Sequence, residues 1–191
     1  MDSNVNIADR IILGIDPGTN VMGYGVIKIE GKKISYLSMG ILDIRKTGDT
    51  YLKLKSIYNK TIELIEEFLP DEFAIEAQFF GKNVQSMLKL GRAQGVAIAA
   101  ALQRDLPIAE YAPLKIKQAI TGNGAASKEQ VAKMLQNILK IPAADLETKL
   151  DATDALGVAL CHYYETNSTF KTKKFNSWKD FAAKNESRVH K

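Results

Sequence analysis

The sequence predicts an α/β fold: a five-stranded mixed sheet, three strands antiparallel and two parallel, flanked by helices. Three observations predict it. Ile11-Ile-Leu-Gly-Ile-Asp-Pro-Gly-Thr-Asn20 is a β-branched apolar run cut off by a turn tripeptide, the pattern of a buried strand that ends in a tight bend. Two further strand-like runs follow with short links, which makes an antiparallel meander. A long helical stretch then leads into Phe73-Ala-Ile-Glu-Ala77, and a strand after such a helix is expected to return by a right-handed crossover, parallel to the first.

Element by element, residues 22–29 and 34–42 read as the second and third strands, with Gly31-Lys32 as the hairpin connection. Across 50–69, Leu52, Leu54, Ile57, Tyr58, Ile62, Leu64, Ile65 and Phe68 recur at helical spacing, and Pro70 closes the run. Residues 86–104 form a helix rich in Gly91, Ala93, Gly95, Ala97, Ala99, Ala100 and Ala101. Small side chains on several faces suit either the core or a contact with a second copy of the chain. Residues 106–111 give a fifth strand and 113–120 a short helix. Ser127-Lys-Glu-Gln130 fits a capping box that starts a helix running to about residue 140, with Pro142 beyond it. A last helix spans roughly 147–164.

The organisation expected is a flexible N-terminal extension over 1–10, one domain over 11–165 and a basic tail over 166–191. That tail holds seven Lys or Arg against two acids, a net +5, and the overall +4 therefore leaves −1 for residues 1–165. Basic tails suit polyanions, so the tail reads as an electrostatic arm, with a docked helix carrying Phe175, Trp178 and Phe181 as its rival. Cys161 is the single cysteine, which excludes an internal disulfide or a thiolate zinc site. No apolar run is long enough to span a bilayer, and the N-terminus lacks a basic-then-apolar leader, so the expected location is cytoplasmic with no membrane partner.

Four carboxylates stand out. Asp16 and Glu76 each end a predicted strand, and parallel neighbouring strands would put those ends side by side. Asp151 and Asp154 are three residues apart, on one face of the last helix, immediately before the apolar run Ala-Leu-Gly-Val-Ala-Leu. Alone, Asp16 would cap a turn, Asp151 a helix, and Asp154 would meet a lysine. Together in one cleft the four would repel one another and raise each other's pKa, a conflict that a divalent cation removes. An oxygen-only ligand set suits Mg²⁺ or Mn²⁺, and such sites serve phosphoryl chemistry.

These residues carry a resemblance. Gly14-Ile-Asp-Pro-Gly-Thr, Gly23-Tyr-Gly-Val-Ile, Ile75-Glu76 with Phe79-Phe-Gly-Lys-Asn83, Leu90-Gly-Arg-Ala-Gln-Gly-Val-Ala97 and Asp151-Ala-Thr-Asp-Ala-Leu156 are similar, in order and spacing, to the RuvC family of bacterial Holliday-junction resolvases. The resemblance implies a ribonuclease H-like fold and a homodimer that makes paired nicks in opposed strands of four-way junction DNA. It implies Asp16, Glu76, Asp151 and Asp154 as catalytic metal ligands for Mg²⁺ (or Mn²⁺), two ions per active site. It also implies that Lys117 and Lys128 contact DNA or assist the cleavage site, and a base-stacking role for Phe79, with Lys82 of the same loop as a further DNA contact. Junction-binding and branch-migration partners of the RuvA and RuvB type are implied too.

Rival readings have residues of their own. Phe79 and Phe80 would tuck into the core if they were not a stacking wedge, although two aromatics followed by Gly-Lys-Asn suit exposure and base stacking is worth ~1–3 kcal/mol per base. His162 is expected to close the last helical turn, and Cys161 to be buried and inert. A ribonuclease acting on RNA or hybrids is the nearest enzyme rival, and a non-catalytic junction-binding protein the rival of another class. The Asp-x-Gly-Thr turn also resembles a phosphate loop of the actin and sugar-kinase ATPases, whose second loop and lobe do not fit in 191 residues.

Overall fold

The computed structural model describes residues 9–78, 83–142, 144–145 and 152–167. Its first strand, β1 (Arg10–Asp16), lies at the centre of a five-stranded sheet of order β3-β2-β1-β4-β5. Ile12, Leu13 and Ile15 of β1 are fully buried, as an apolar strand covered on both faces must be. β2 (Val21–Glu30) and β3 (Lys33–Asp43) complete the antiparallel meander through a turn at Gly31, whose φ is +58°.

α1 (Thr50–Phe68) starts where the Asp49 carboxylate accepts from Leu52 N, and ends at Leu69 in the left-handed region just ahead of Pro70. β4 (Glu72–Glu76) then pairs in parallel with β1, Ile12 opposite Glu72 through Ile15 opposite Ile75. After α2 (Val84–Leu102), β5 (Ile108–Tyr111) adds a second parallel edge, with Glu76 opposite Tyr111. α3 (Pro113–Thr121) carries proline at its first turn, where no amide donor is missed. α4 (Lys128–Leu139) opens with the full reciprocal capping box of Ser127 and Gln130, and α5 (Thr153–Asn167) closes the described chain.

The pleat sends alternate residues of β1 to opposite faces. Leu13 and Ile15 join Ile57, Leu64, Ala93 and Ala97 of α1 and α2, whereas Ile12 joins Leu135, Leu156 and Ala159 of α4 and α5. α5 lies unusually close to the sheet, and two strand glycines are the cause. Gly14 and Gly25 pair with each other in register, and a Cβ on Gly25 would sit 2.6 Å from Leu156 N, one on Gly14 2.8 Å from Ala159 N. Only glycine lets the helix backbone settle there.

The predicted elements are present in the predicted order, with corrections at the margins. β1 begins at Arg10, inside the stretch expected to be a flexible extension, and the Asp9 carboxylate accepts from Gly31 N. α5 continues through Asn167, so residues 166 and 167 belong to a helix rather than to the tail. The expected start of that helix near 147, with Asp151, falls outside the described residues, as do Phe79, Phe80, Lys82 and the tail from 168. No helix of the described residues is long and apolar enough to cross a membrane.

Candidate active site

Register alone brings two of the acids together. Because Ile15 lies opposite Ile75 in a parallel pair, Asp16 and Glu76 are the next residues on adjacent strands, at their carboxyl ends. Beyond Asp16 the chain turns tightly at Pro17-Gly18, where a Cβ on Gly18 would collide with the Val21 carbonyl. The close docking of α5 on Gly14 and Gly25 supplies the third acid, since Asp154 precedes the first residues of α5 that touch β1 and β2.

Cations face these acids from the two helices that follow the sheet. Lys117 projects from α3, and Lys128 is the first residue of α4, held there by the capping box. A cavity of about 210 Å³ is lined by Glu76, Lys117, Lys128 and Asp154, with Ile116 and Val131 as its apolar floor. Lys128 Nζ stands 2.9 Å from an Asp154 carboxylate oxygen. Burial, and then the negative charges of Asp16 and Asp154, push the Glu76 carboxyl up to about 8, while Lys117 and Lys128 pull it back down. Carboxylates this perturbed collect at functional sites.

Of the four predicted acids, Asp16, Glu76 and Asp154 thus share one electrostatic neighbourhood, and the fourth, Asp151, lies outside the described residues. Among the described residues no three acids are gathered tightly enough to chelate an ion as they stand. Donor chemistry nevertheless fits a divalent cation: the ligands are hard oxygens, and the negative charge that raises Glu76 is what such an ion would neutralise. The lysine expected for Asp154 on structural grounds is Lys128, so the ion pair and the site coincide.

One set of residues had no sequence signal. His162 lies mid-helix and buried rather than at a final turn; its Nε2 is 2.8 Å from Glu72 and its Nδ1 2.7 Å from the Tyr111 hydroxyl. Arg10 donates to Glu72 at 2.7 Å and to Thr166 Oγ1 at 2.9 Å. These partners come from four elements, and nothing in their spacing announces them. Cys161, by contrast, is buried as expected, and burial pushes its thiol up to about 12, out of reach of thiolate chemistry.

Comparison with known proteins places this geometry. Residues 12–162 match the family model described as crossover junction endodeoxyribonuclease RuvC. A protein of that name from Bacteroides fragilis is 59% identical over 183 residues, covering 96% of this chain and 97% of its own length. Its namesake from Porphyromonas gingivalis is 54% identical over 184 residues, covering 95% and 97%. Among solved structures, Thermus thermophilus RuvC in complex with a Holliday junction substrate is 30% identical with a TM-score of 0.73, covering 82% of this chain and 94% of that one. The fowlpox virus Holliday junction resolvase, 17% identical with a TM-score of 0.56 over 82% and 98%, shares the fold.

Proposed function

This chain belongs to the RuvC family of crossover junction endodeoxyribonucleases, and we propose how its ribonuclease H-like domain resolves a Holliday junction. The observation that carries the reading is the Glu76 carboxyl, raised to about 8 between Asp16 and Asp154 and faced by Lys117 and Lys128. Asp16, Glu76 and Asp154, with Asp151 from the chain just before α5, would hold Mg²⁺ or Mn²⁺, two ions per site. When bound, the ions supply Lewis acidity at the scissile phosphate and a neutralised acid cluster.

The chain's own groups do the rest. Lys117 and Lys128 offset the charge of the incoming phosphate, and Lys128 exchanges its Asp154 partner for a phosphate oxygen as the strand seats. Asp154, released from that pair, becomes available as a ligand. Phe79 stacks on a base beside the crossover, with Lys82 on the adjoining backbone. A synthetic four-way junction with Mg²⁺, run beside duplex and RNA–DNA hybrid controls, tests the proposal. Paired nicks in opposed strands are expected; cleavage of the hybrid alone assigns the chain to ribonuclease chemistry instead.

Two matched nicks need two sites related by a two-fold axis, so the working unit is a homodimer. α2 offers the surface: Ala93, Ala97 and Ala101 are buried in the core, while Gly91 and Gly95 are exposed with open space around them. Gly95→Leu therefore fits the single chain, and its expected effect is a shift of sedimentation toward monomer with single nicks at most. A Gly95→Leu protein that sediments and nicks as the parent does removes α2 from the interface. Action in the cytoplasm beside RuvA- and RuvB-type branch-migration proteins completes the proposal.

A further inference from the structure

A second cavity, about 460 Å³, opens beside the turn that follows Asp16, on the α1/α2 side of the sheet and away from Lys117 and Lys128. Lys53, Lys89 and Arg92 line it together with Thr19, Asn20 and Ser86, and among the described residues no acid contributes to its wall. Among the described residues Lys53 Nζ donates to neutral oxygens, Thr19 O at 3.3 Å and Asn20 Oδ1 at 3.0 Å. Among the described residues neither Lys89 nor Arg92 has a carboxylate partner, whereas Lys28, Lys60 and Lys115 each pair with one. The nearest acid along the chain, Asp49, is engaged in capping α1.

Residues 1–165 carry a net charge of about −1, so three cations around one hollow are a local arrangement and not the overflow of a basic surface. Gathered like charges repel, and an anion resolves the repulsion as a cation would at the acid cluster. Hydroxyl and amide donors on Ser86, Thr19 and Asn20 suit the oxygens of a phosphate, and Arg92 can meet two of them at once. Ile57 and Ala93 close the floor, so the ligand is met at the rim.

We propose that this cavity is a second phosphate site, which holds a backbone phosphate of the junction DNA on the α1/α2 side of the Asp16 turn. The inference rests on the resolvase reading and deepens it. Thr19 is three residues from Asp16, at most about 11 Å along an extended chain. Successive phosphates advance about 3.4 Å along the axis of a strand, so the phosphate held here lies within a few nucleotides of the cut. Through Lys53, the same contact reaches the turn that presents Asp16.

The test measures binding of the full-length chain to a four-way junction in metal-free buffer across a salt series. Losing one neutralised phosphate flattens the slope of log K against log salt by about 0.9, so the Lys53→Gln/Lys89→Gln/Arg92→Gln variant, which gives up the single phosphate held here, should be flatter by about 0.9. Lys89→Arg should keep the parent slope. Lys89 and Arg92 are exposed, and a Lys89→Gln/Arg92→Gln variant, expected to lose most of that same about 0.9, covers the case in which Lys53 is needed for folding. Junctions with single neutral methylphosphonates near the cut then locate the phosphate: the parent binds more weakly at one position to which the variant is indifferent. An unchanged slope, or methylphosphonate effects identical in parent and variant, overturns the pocket alone. Inorganic phosphate that saturates the backbone amide signals of Lys89 and Arg92 without competing with junction assigns the pocket to free phosphate and overturns the DNA reading. A parent chain that binds no junction overturns the resolvase reading and this one with it.

Discussion

β1, β4 and α5 each carry a charged or polar group at both ends, and the two ends are built on opposite electrostatic rules. At the carboxyl ends of the strands, burial and then the nearby charges of Asp16 and Asp154 push the Glu76 carboxyl up to about 8. At the other end, Arg10 of β1, Glu72 of β4 and His162 and Thr166 of α5 form a chain of complementary hydrogen bonds between 2.7 and 2.9 Å. Tyr111 of β5 joins them at 2.7 Å. One end gathers like charges and the other joins opposite ones, with Arg10 Nε its buried orphan among the described residues. The difference separates a site that needs a ligand from a latch that holds the ligand's frame in place.

The largest expected effect comes from the end that gathers the acids. Asp16→Asn or Asp154→Asn should lower junction cleavage by about 10²–10³-fold or more, the order found when a group acting on the reacting atoms is removed. Binding in metal-free buffer should hold or tighten, because one negative charge near phosphates is gone. A variant that cuts as the parent does breaks the comparison at its root.

At the latch the same kind of change should read out as stability. Glu72→Ala leaves Arg10 and His162, both mostly buried, without their shared partner, at a cost of about 3 kcal/mol. Chemical denaturation should show the midpoint fall with the slope unchanged. If Glu72→Ala unfolds at the parent's midpoint, the latch does not hold the three elements.

The frame of this molecule was legible in its sequence because strand runs, turn residues and the Ser127 capping box are local signals, and two parallel strands after a helix leave one arrangement. Asp16 and Glu76 were legible for the same reason: a parallel register makes neighbours of strand ends. The latch was not. Arg10 and Glu72 are 62 residues apart, and His162 and Glu72 are 90 apart, so their meeting depends on how deeply α5 settles. A signal for that depth was present in Gly14 and Gly25, glycines inside strands opposite an alanine-rich helix, and it needed the pairing register to be read. The cationic cavity was hidden likewise, because Lys53 lies on one helix and Lys89 and Arg92 on another.

Stability against pH sharpens the comparison further. Glu76 titrates near 8 when folded and near 4.5 as a free side chain, so the unfolded chain gives up this proton first as pH rises. Its contribution is complete below 4.5 and drains away as pH climbs to about 8. Glu76→Gln should therefore stabilise the metal-free protein by about 2 kcal/mol above that range, and do little near pH 4. Thermal unfolding of both proteins across pH measures it; parallel curves mean that Glu76 is not in conflict with Asp16 and Asp154.

The smallest effect concerns one proton at the latch. Burial holds the His162 pKa below 6.5, against the pull of the Glu72 charge, so the ring is neutral at pH 7. Glu72 offers only acceptor oxygens to Nε2, which must then carry the hydrogen, leaving a lone pair on Nδ1. Tyr111 is the donor to that lone pair, and its hydroxyl, pushed up to about 12 chiefly by burial, keeps its proton throughout. A depressed histidine is the mirror of Glu76: its stability is present above 6.5 and is lost as pH falls below, where the unfolded ring takes up a proton first. Tyr111→Phe removes the hydrogen bond that favours the neutral ring, so the His162 pKa should rise toward 6.5 and stability at neutral pH should fall by about 1 kcal/mol. Nitrogen-15 shifts of the imidazole read both the tautomer and the titration. A hydrogen found on Nδ1 at neutral pH, or a pKa that falls in Tyr111→Phe, would overturn the direction assigned to the Tyr111–His162 bond.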